Sequence, residues 1–197
     1  IAKRNALDAA RRAVALDSSL AAAHASLGYG LFFIDWDWAQ AESEFKRAIA
    51  LDRDYGPARY CYTQLLWVLQ RPQDALTQAE AAVTNEPLSA VSHLALARTH
   101  RLLGHDEEWG AELRRSTELQ GLAPAWADLA EFFGERGMLD SARVALHNFI
   151  SLRFGPARAS ADLIAATVPA LNGKGDIPRI RQLAARQGFG NTDADYL

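Results

Sequence analysis

Cysteine is nearly missing from this chain. Cys61 stands alone among 197 residues, so no internal disulfide can form and no second thiolate is at hand for a metal site; the redox compartment stays open. Long apolar runs are missing too. The longest uncharged apolar stretch, near Leu27 to Ile34, is far shorter than the roughly 20 residues a membrane-spanning helix needs. No basic-then-apolar leader precedes it. Sustained period-two alternation with β-branched residues is nowhere present, which argues against strands. The net charge of −3 gives no general attraction to nucleic acid. Met is not the first residue: the chain opens on Ile1, inside what reads as a helix, and the expectation is a fragment of a longer protein.

What is present describes a folded chain, with 49% hydrophobic and 23% charged residues. Charge is unevenly spread. Residues 1–135 hold 13 Lys and Arg against 19 Asp and Glu, whereas residues 136–186 hold 8 against 3. The basic C-terminal third is either a solvated surface or a docking face for an acidic partner.

Apolar side chains three and four apart mark successive amphipathic helices. Residues 2–16 form the first, through Ala6, Ala10, Ala13 and Val14, and residues 21–33 the second. Asp37 is placed to cap the next, which carries Ala41, Phe45, Ala48 and Ile49. Tyr62, Leu66 and Leu69 continue the alternation into a turn at residues 70–72, and Pro72 suits a first helical turn, where its missing N–H has no partner anyway. Further pairs are expected around Gly104 and Gly137, and a last pair over residues 156–170 and 176–187.

Self-similarity near 34 residues organises these helices. His24, Leu27, Gly28, Leu31, Ala41, Phe45 and Ala48 recur as Arg59, Tyr62, Thr63, Leu66, Ala75, Ala79 and Ala82, followed by Pro87. They recur again, more loosely, as His93, Leu96, Ala97, His100, Trp109, Leu113 and Ser116, and as Trp126, Leu129, Ala130, Phe133, Ala142, Leu146 and Phe149. Small residues at Gly28, Ala41, Ala97 and Ala142 let paired helices approach to about 8–10 Å, while Leu27, Phe45 and Leu129 fill the space between them. A Trp at Ala41 or Ala48 is therefore expected to overpack the second pair by about 1–3 kcal/mol.

This pattern resembles the tetratricopeptide repeat, and residues 1–18 fit the second helix of a truncated preceding unit. The resemblance implies an all-α, right-handed superhelical solenoid of antiparallel helix pairs over residues 1–153, a capping helical pair over residues 154–187, and a flexible tail at residues 188–197. The sequence departs from the repeat in two ways. Pro87 is the one proline where each unit should end with one, and the first unit is a residue longer, in the turn from Asp35 to Trp38. The run Asp35-Trp36-Asp37-Trp38, with Ala41, Glu42, Phe45, Arg47 and Tyr55 after it, further resembles the repeat region behind winged-helix, cyclase or kinase-type output domains of bacterial regulators.

Catalytic and metal constellations are poorly supported. His93 and His100 lie seven residues apart on one helix, about 10 Å along its axis, too far to share a zinc ion, and His105 lies beyond the turn. Asp35, Asp37, Glu42 and Glu44 lack the ligand order and glycine of a calcium loop. Gly173-Lys174-Gly175 is only superficially like a phosphate loop, without the strand, the earlier glycine or the following Ser/Thr. No nucleophile, base and orienting group fall together. No catalytic residue, metal or cofactor is expected.

The repeat resemblance implies that first helices line a concave groove. Its outward positions are Tyr29, Phe32, Tyr60, Gln64, Trp67, Leu94, Arg98, Arg101 and Glu131, a set rich in the aromatic and arginine anchors of binding surfaces. The Lys/Asn/Arg set that clamps a peptide's terminal carboxylate in chaperone-binding relatives is missing. The expected function is a protein- or peptide-binding scaffold, the partner including an intramolecular output domain, without nucleic acid or membrane. Alternatives are a small-molecule sensor using Tyr29, Tyr60, Trp67 and Arg98, and a structural or oligomerisation arm. Location is expected to be cytoplasmic, or periplasmic if a membrane span lies ahead of Ile1.

Overall fold

The computed structural model describes residues 2–189, and they contain helices and no strand. Eleven α-helices follow one another: α1 Ala2–Leu16, α2 Ala21–Gly30, α3 Trp38–Leu51, α4 Gly56–Val68, α5 Pro72–Asn85, α6 Ala90–Leu103, α7 Asp106–Leu119, α8 Ala123–Glu135, α9 Leu139–Phe154, α10 Ala161–Thr167 and α11 Ile177–Arg186. The chain divides into two compact units, one ending at Trp109 and the other beginning at Gly110.

In the first unit each helix packs on the next from α1 to α6, and alternate helices α2, α4 and α6 also touch in sequence. Short turns make neighbours antiparallel, as the 34-residue period requires. The positions expected to be small are fully buried at Ala41, Ala48 and Ala75. Phe45 fills the space against α2 so tightly that a Cβ on Gly28 would lie 2.7 Å from its ring. Leu27, Leu31, Phe45, Tyr62, Leu65 and Leu66 then form one continuous core with Leu7 of α1.

Two local devices recur with the repeat. The residue opening each of the first three frameworks reaches back six positions to the preceding turn: the ring Nε2 of His24 bonds the Ser18 carbonyl at 3.1 Å, Arg59 Nε donates to the Arg53 carbonyl at 3.1 Å, and His93 Nε2 bonds the Pro87 carbonyl at 3.0 Å. Each bond satisfies a carbonyl that no helix can. The turns between paired helices use a left-handed residue: Trp36 (φ 59°), Gln70 (φ 57°), Gly104 (φ 73°) and Gly137 (φ 70°). The extra residue of the first unit is absorbed just before that turn, where α2 widens into a π-helical turn over Leu31–Asp35 and the Asp37 amide bonds the Leu31 carbonyl at 3.0 Å. Asp37 then caps α3 through the Gln40 amide, as expected.

In the second unit α8 packs on α9 over the buried Leu129, Ala130, Ala142 and Leu146. The last pair departs from the expected long helix over residues 156–170. It breaks into a 3₁₀ turn at Pro156–Arg158, the seven-residue α10 and a second 3₁₀ turn at Val168–Asn172. Gly155 at φ 96° interrupts the chain before Pro156, and Ser160 caps α10 through the Leu163 amide. Of the expected tail, residues 190–197 lie outside the described residues. Phe189 is buried against Phe154, ring centroids 4.9 Å apart, with the Arg158 guanidinium over its face.

Candidate functional site

Eight of the nine expected groove residues lie in the first unit, on α2, the π-turn that ends it, α4 and α6; Glu131 lies on α8 of the second. Tyr29 is half exposed, at 50%. Tyr60, Gln64, Trp67 and Arg98 are half-buried and Arg101 is exposed. Tyr60 sits within electrostatic reach of both Arg98 and Tyr29, which ties α2, α4 and α6 into one surface. Burial pushes its phenol above the ordinary range, and the Arg98 charge pulls the other way.

Phe32 and Leu94 do not face outward; at 6% and 5% exposure they belong to the core. Phe32 joins the core cluster with Leu27 and Leu31, its ring 4.1 Å from that of Phe33, and the next residue, Phe33, at 40% exposure takes the outward position. Leu94 shares its repeat position with the buried Ala25 and the half-buried Tyr60, and its smaller apolar side chain is taken into the core. Trp67 is partly committed as well, since its indole N–H donates to Thr99 Oγ1 on α6 at 2.9 Å.

Sequence reasoning missed a row of exposed apolar side chains. Phe33, Val68 (42% exposed) and Leu102 (57% exposed) recur 35 and 34 residues apart near the C-terminal ends of α2, α4 and α6. Their common spacing was the available signal. Beside this row the ninth repeat position carries Tyr29, Gln64 and Arg98, and neither row contains an acidic residue.

A groove of about 710 Å³ opens next to this surface. Ala6, Ala9 and Ala13 of α1 form one wall, Ala22, Ser26 and Tyr29 of α2 the other, and Tyr55, Pro57 and Cys61 the rim toward α4. Its few polar groups do not converge: the Ser26 hydroxyl is spent on the Ala22 carbonyl at 2.7 Å. Burial pushes the Cys61 thiol up to about 11, away from the thiolate a nucleophile requires.

The histidines resolve differently from their sequence separation. His93 holds its turn carbonyl, but His105 folds back across the Gly104 turn and places its Nδ1 3.2 Å from Nδ1 of His100. Among the described residues no three His, Cys, Asp or Glu side chains are grouped to hold a metal ion, and no helix is long and apolar enough to cross a membrane.

No protein-family model matches the chain, and no curated protein matches it in sequence. Solved structures do match in fold. The type IV pilus biogenesis factor PilW aligns with a TM-score of 0.75 at 19% identity, over 96% of this chain and 88% of that one. PilF of Pseudomonas aeruginosa aligns at 0.73 and 19% identity, over 94% and 81%. YrrB, a TPR protein with an unusual peptide-binding site, aligns at 0.65 and 17% identity, over 97% and 98%. At these identities the likeness defines the fold alone: an all-α helical-repeat solenoid of the tetratricopeptide kind.

Proposed function

We propose that the chain is a non-catalytic interaction scaffold whose first unit binds a protein or peptide segment across α2, α4 and α6. The observation that carries this reading is the exposed apolar row Phe33, Val68 and Leu102 beside Tyr29. Apolar side chains left exposed at one repeat position on three successive first helices point to an interaction site. Gln64 and Arg98 stand within it to fix orientation and register. Similarity to a TPR protein with a peptide-binding site supports the same reading.

The tryptophan turn supports the finer reading, a regulatory module of a larger bacterial protein. Trp36 is held in a left-handed conformation with its ring 6.3 Å from that of Trp38, a well-defined apolar feature for an adjoining output domain. A small-molecule sensor in the same place is less well supported. Such sites use several convergent polar groups, whereas the indole N–H of Trp67 and the hydroxyl of Ser26 are both spent internally.

Peptides selected by display against the 197-residue chain provide the test. The Gln64→Ala, Arg98→Ala double variant is expected to weaken a selected peptide roughly tenfold or more while leaving thermal unfolding within a few degrees. Undiminished affinity in that variant contradicts the reading.

A further inference from the structure

Two cavities of the second unit meet at one side chain. The larger, about 630 Å³, lies between α9 and α10, with Arg143, Val144 and His147 on one wall and Ala161, Ile164 and Ala165 on the other. The smaller, about 310 Å³, is lined by Arg114 and Thr117 of α7, Trp126 and Phe133 of α8, and Val144 again. Val144 is 61% exposed, although Ala142, Ala145 and Leu146 beside it are buried. The last helix pair explains this. On α3 the residue after the buried Ala41 is Glu42, and the 13-residue α4 that follows lays the Tyr62 hydroxyl against it. On α9 the residue after the buried Ala142 is Arg143. The helix that follows, α10, has only seven residues, and Arg143 stays exposed with Asp140 of its own helix 3.7 Å away.

We propose that this joined groove binds an extended acidic segment of a partner protein, seating one large apolar side chain between Trp126 and Phe133 and a carboxylate against Arg143 and His147. The shape selects an extended chain. A pocket of about 310 Å³ admits a side chain but not a helix, which is about 10–12 Å across. Passing from α7 over α9 to α10 covers about two helix spacings of about 8–10 Å each, or about six residues at about 3.3 Å per residue. Charge selects the acid. Arg143 and His147 stand one turn apart on the same side of α9, and Arg114 flanks the aromatic end. Among the described residues one acidic side chain, Glu118, lines the groove, and it lies 3.7 Å from Arg115. Residues 136–186 hold 8 Lys and Arg against 3 Asp and Glu, so the surrounding field also favours an anionic partner. Apolar walls with a few placed charges hold and orient a bound segment. The groove lies wholly within the second unit and rests on no part of the concave-surface reading.

A displayed heptapeptide library panned on the 197-residue chain carrying Gln64→Ala and Arg98→Ala tests this, because that variant lacks the polar contacts of the concave surface. Enriched sequences are expected to place Asp or Glu beside an aromatic or large aliphatic residue. The most enriched peptide, dye-labelled and titrated into the wild-type chain by anisotropy, should bind saturably and more weakly as salt rises. Val144→Glu, at an exposed helical position, should weaken it roughly tenfold or more, and Arg143→Ala several-fold, with thermal unfolding of both within a few degrees of wild type. Arg186→Glu, equally exposed but on α11 outside the groove, should leave the affinity unchanged. The inference is overturned if no peptide is enriched, if the enriched peptides lack the acidic and apolar residues, if Val144→Glu binds as well as wild type, or if Arg186→Glu weakens binding as much as Val144→Glu. Affinity that rises in Asp193→Asn, Asp195→Asn would make the chain's own residues 190–197 the occupant, and peptide-free self-association that Val144→Glu abolishes would make it a second copy; either result also overturns the inference.

Discussion

The Tyr62 hydroxyl donates to Glu42 Oε1 at 2.8 Å, joining α4 to α3 at the heart of the first unit. The same carboxylate accepts from Arg71 at 2.9 Å and Lys46 at 2.7 Å. Three elements therefore converge on one side chain, including the turn that leads into α5.

A pH dependence follows. Partial burial pushes the Glu42 carboxyl up, but Lys46, Tyr62 and Arg71 together outweigh it and hold the group at about 2, against an ordinary value of 4.5. A carboxylate depressed in the folded state contributes its stability above the unfolded value and loses it as pH falls toward the folded one. Stability should decline as pH drops from about 5 toward 2, and Glu42→Gln should flatten that decline while costing about 1–3 kcal/mol at neutral pH. Urea unfolding of both proteins at several pH values measures this; identical pH profiles would contradict it.

The contact of Gly28 with Phe45 sets the approach of α2 to α3. Gly28→Val places a branched side chain where even a Cβ would lie 2.7 Å from the ring. It is expected to destabilise the first unit by about 1–3 kcal/mol or more. A paired Phe45→Leu change should recover part of the loss. Thermal unfolding of the single and double variants tests the coupling, and simple additivity would count against it.

Gln70 adopts φ 57° where the equivalent turns use Gly104 and Gly137. A left-handed side-chain residue costs about 1–2 kcal/mol, and glycine avoids most of that cost at some expense in unfolded-state entropy. Gln70→Gly should raise the unfolding midpoint by a few degrees. A lowered midpoint would mean that the Gln70 amide contact with the Trp67 carbonyl, at 3.3 Å, matters more than the backbone strain.

Much of the fold was legible because the signals are local and repeated. Ala41, Phe45 and Ala48 announce a close helix pair by size alone, and Asp37 and Pro72 mark helix starts by chemistry any helix obeys. The surface was harder to read. Phe32 is drawn into the core cluster while Phe33 faces outward, and Leu94 is buried at a repeat position where Tyr60 is only half-buried; neither outcome is encoded in its own side chain. His105 meets His100 because the left-handed Gly104 reverses the chain, a three-dimensional effect that sequence separation conceals. The back-bonds from His24, Arg59 and His93 were visible only as large residues at one repeat position, since two side-chain chemistries perform the same task.

NMR shift mapping of a display-selected peptide on the 197-residue chain measures whether the first helices of the first unit present the binding surface. Saturable perturbations should centre on Tyr29, Phe33, Gln64, Val68, Arg98 and Leu102, along α2, α4 and α6. Perturbations centred instead on the outer faces of α3 and α5, or on the second unit alone, would contradict it.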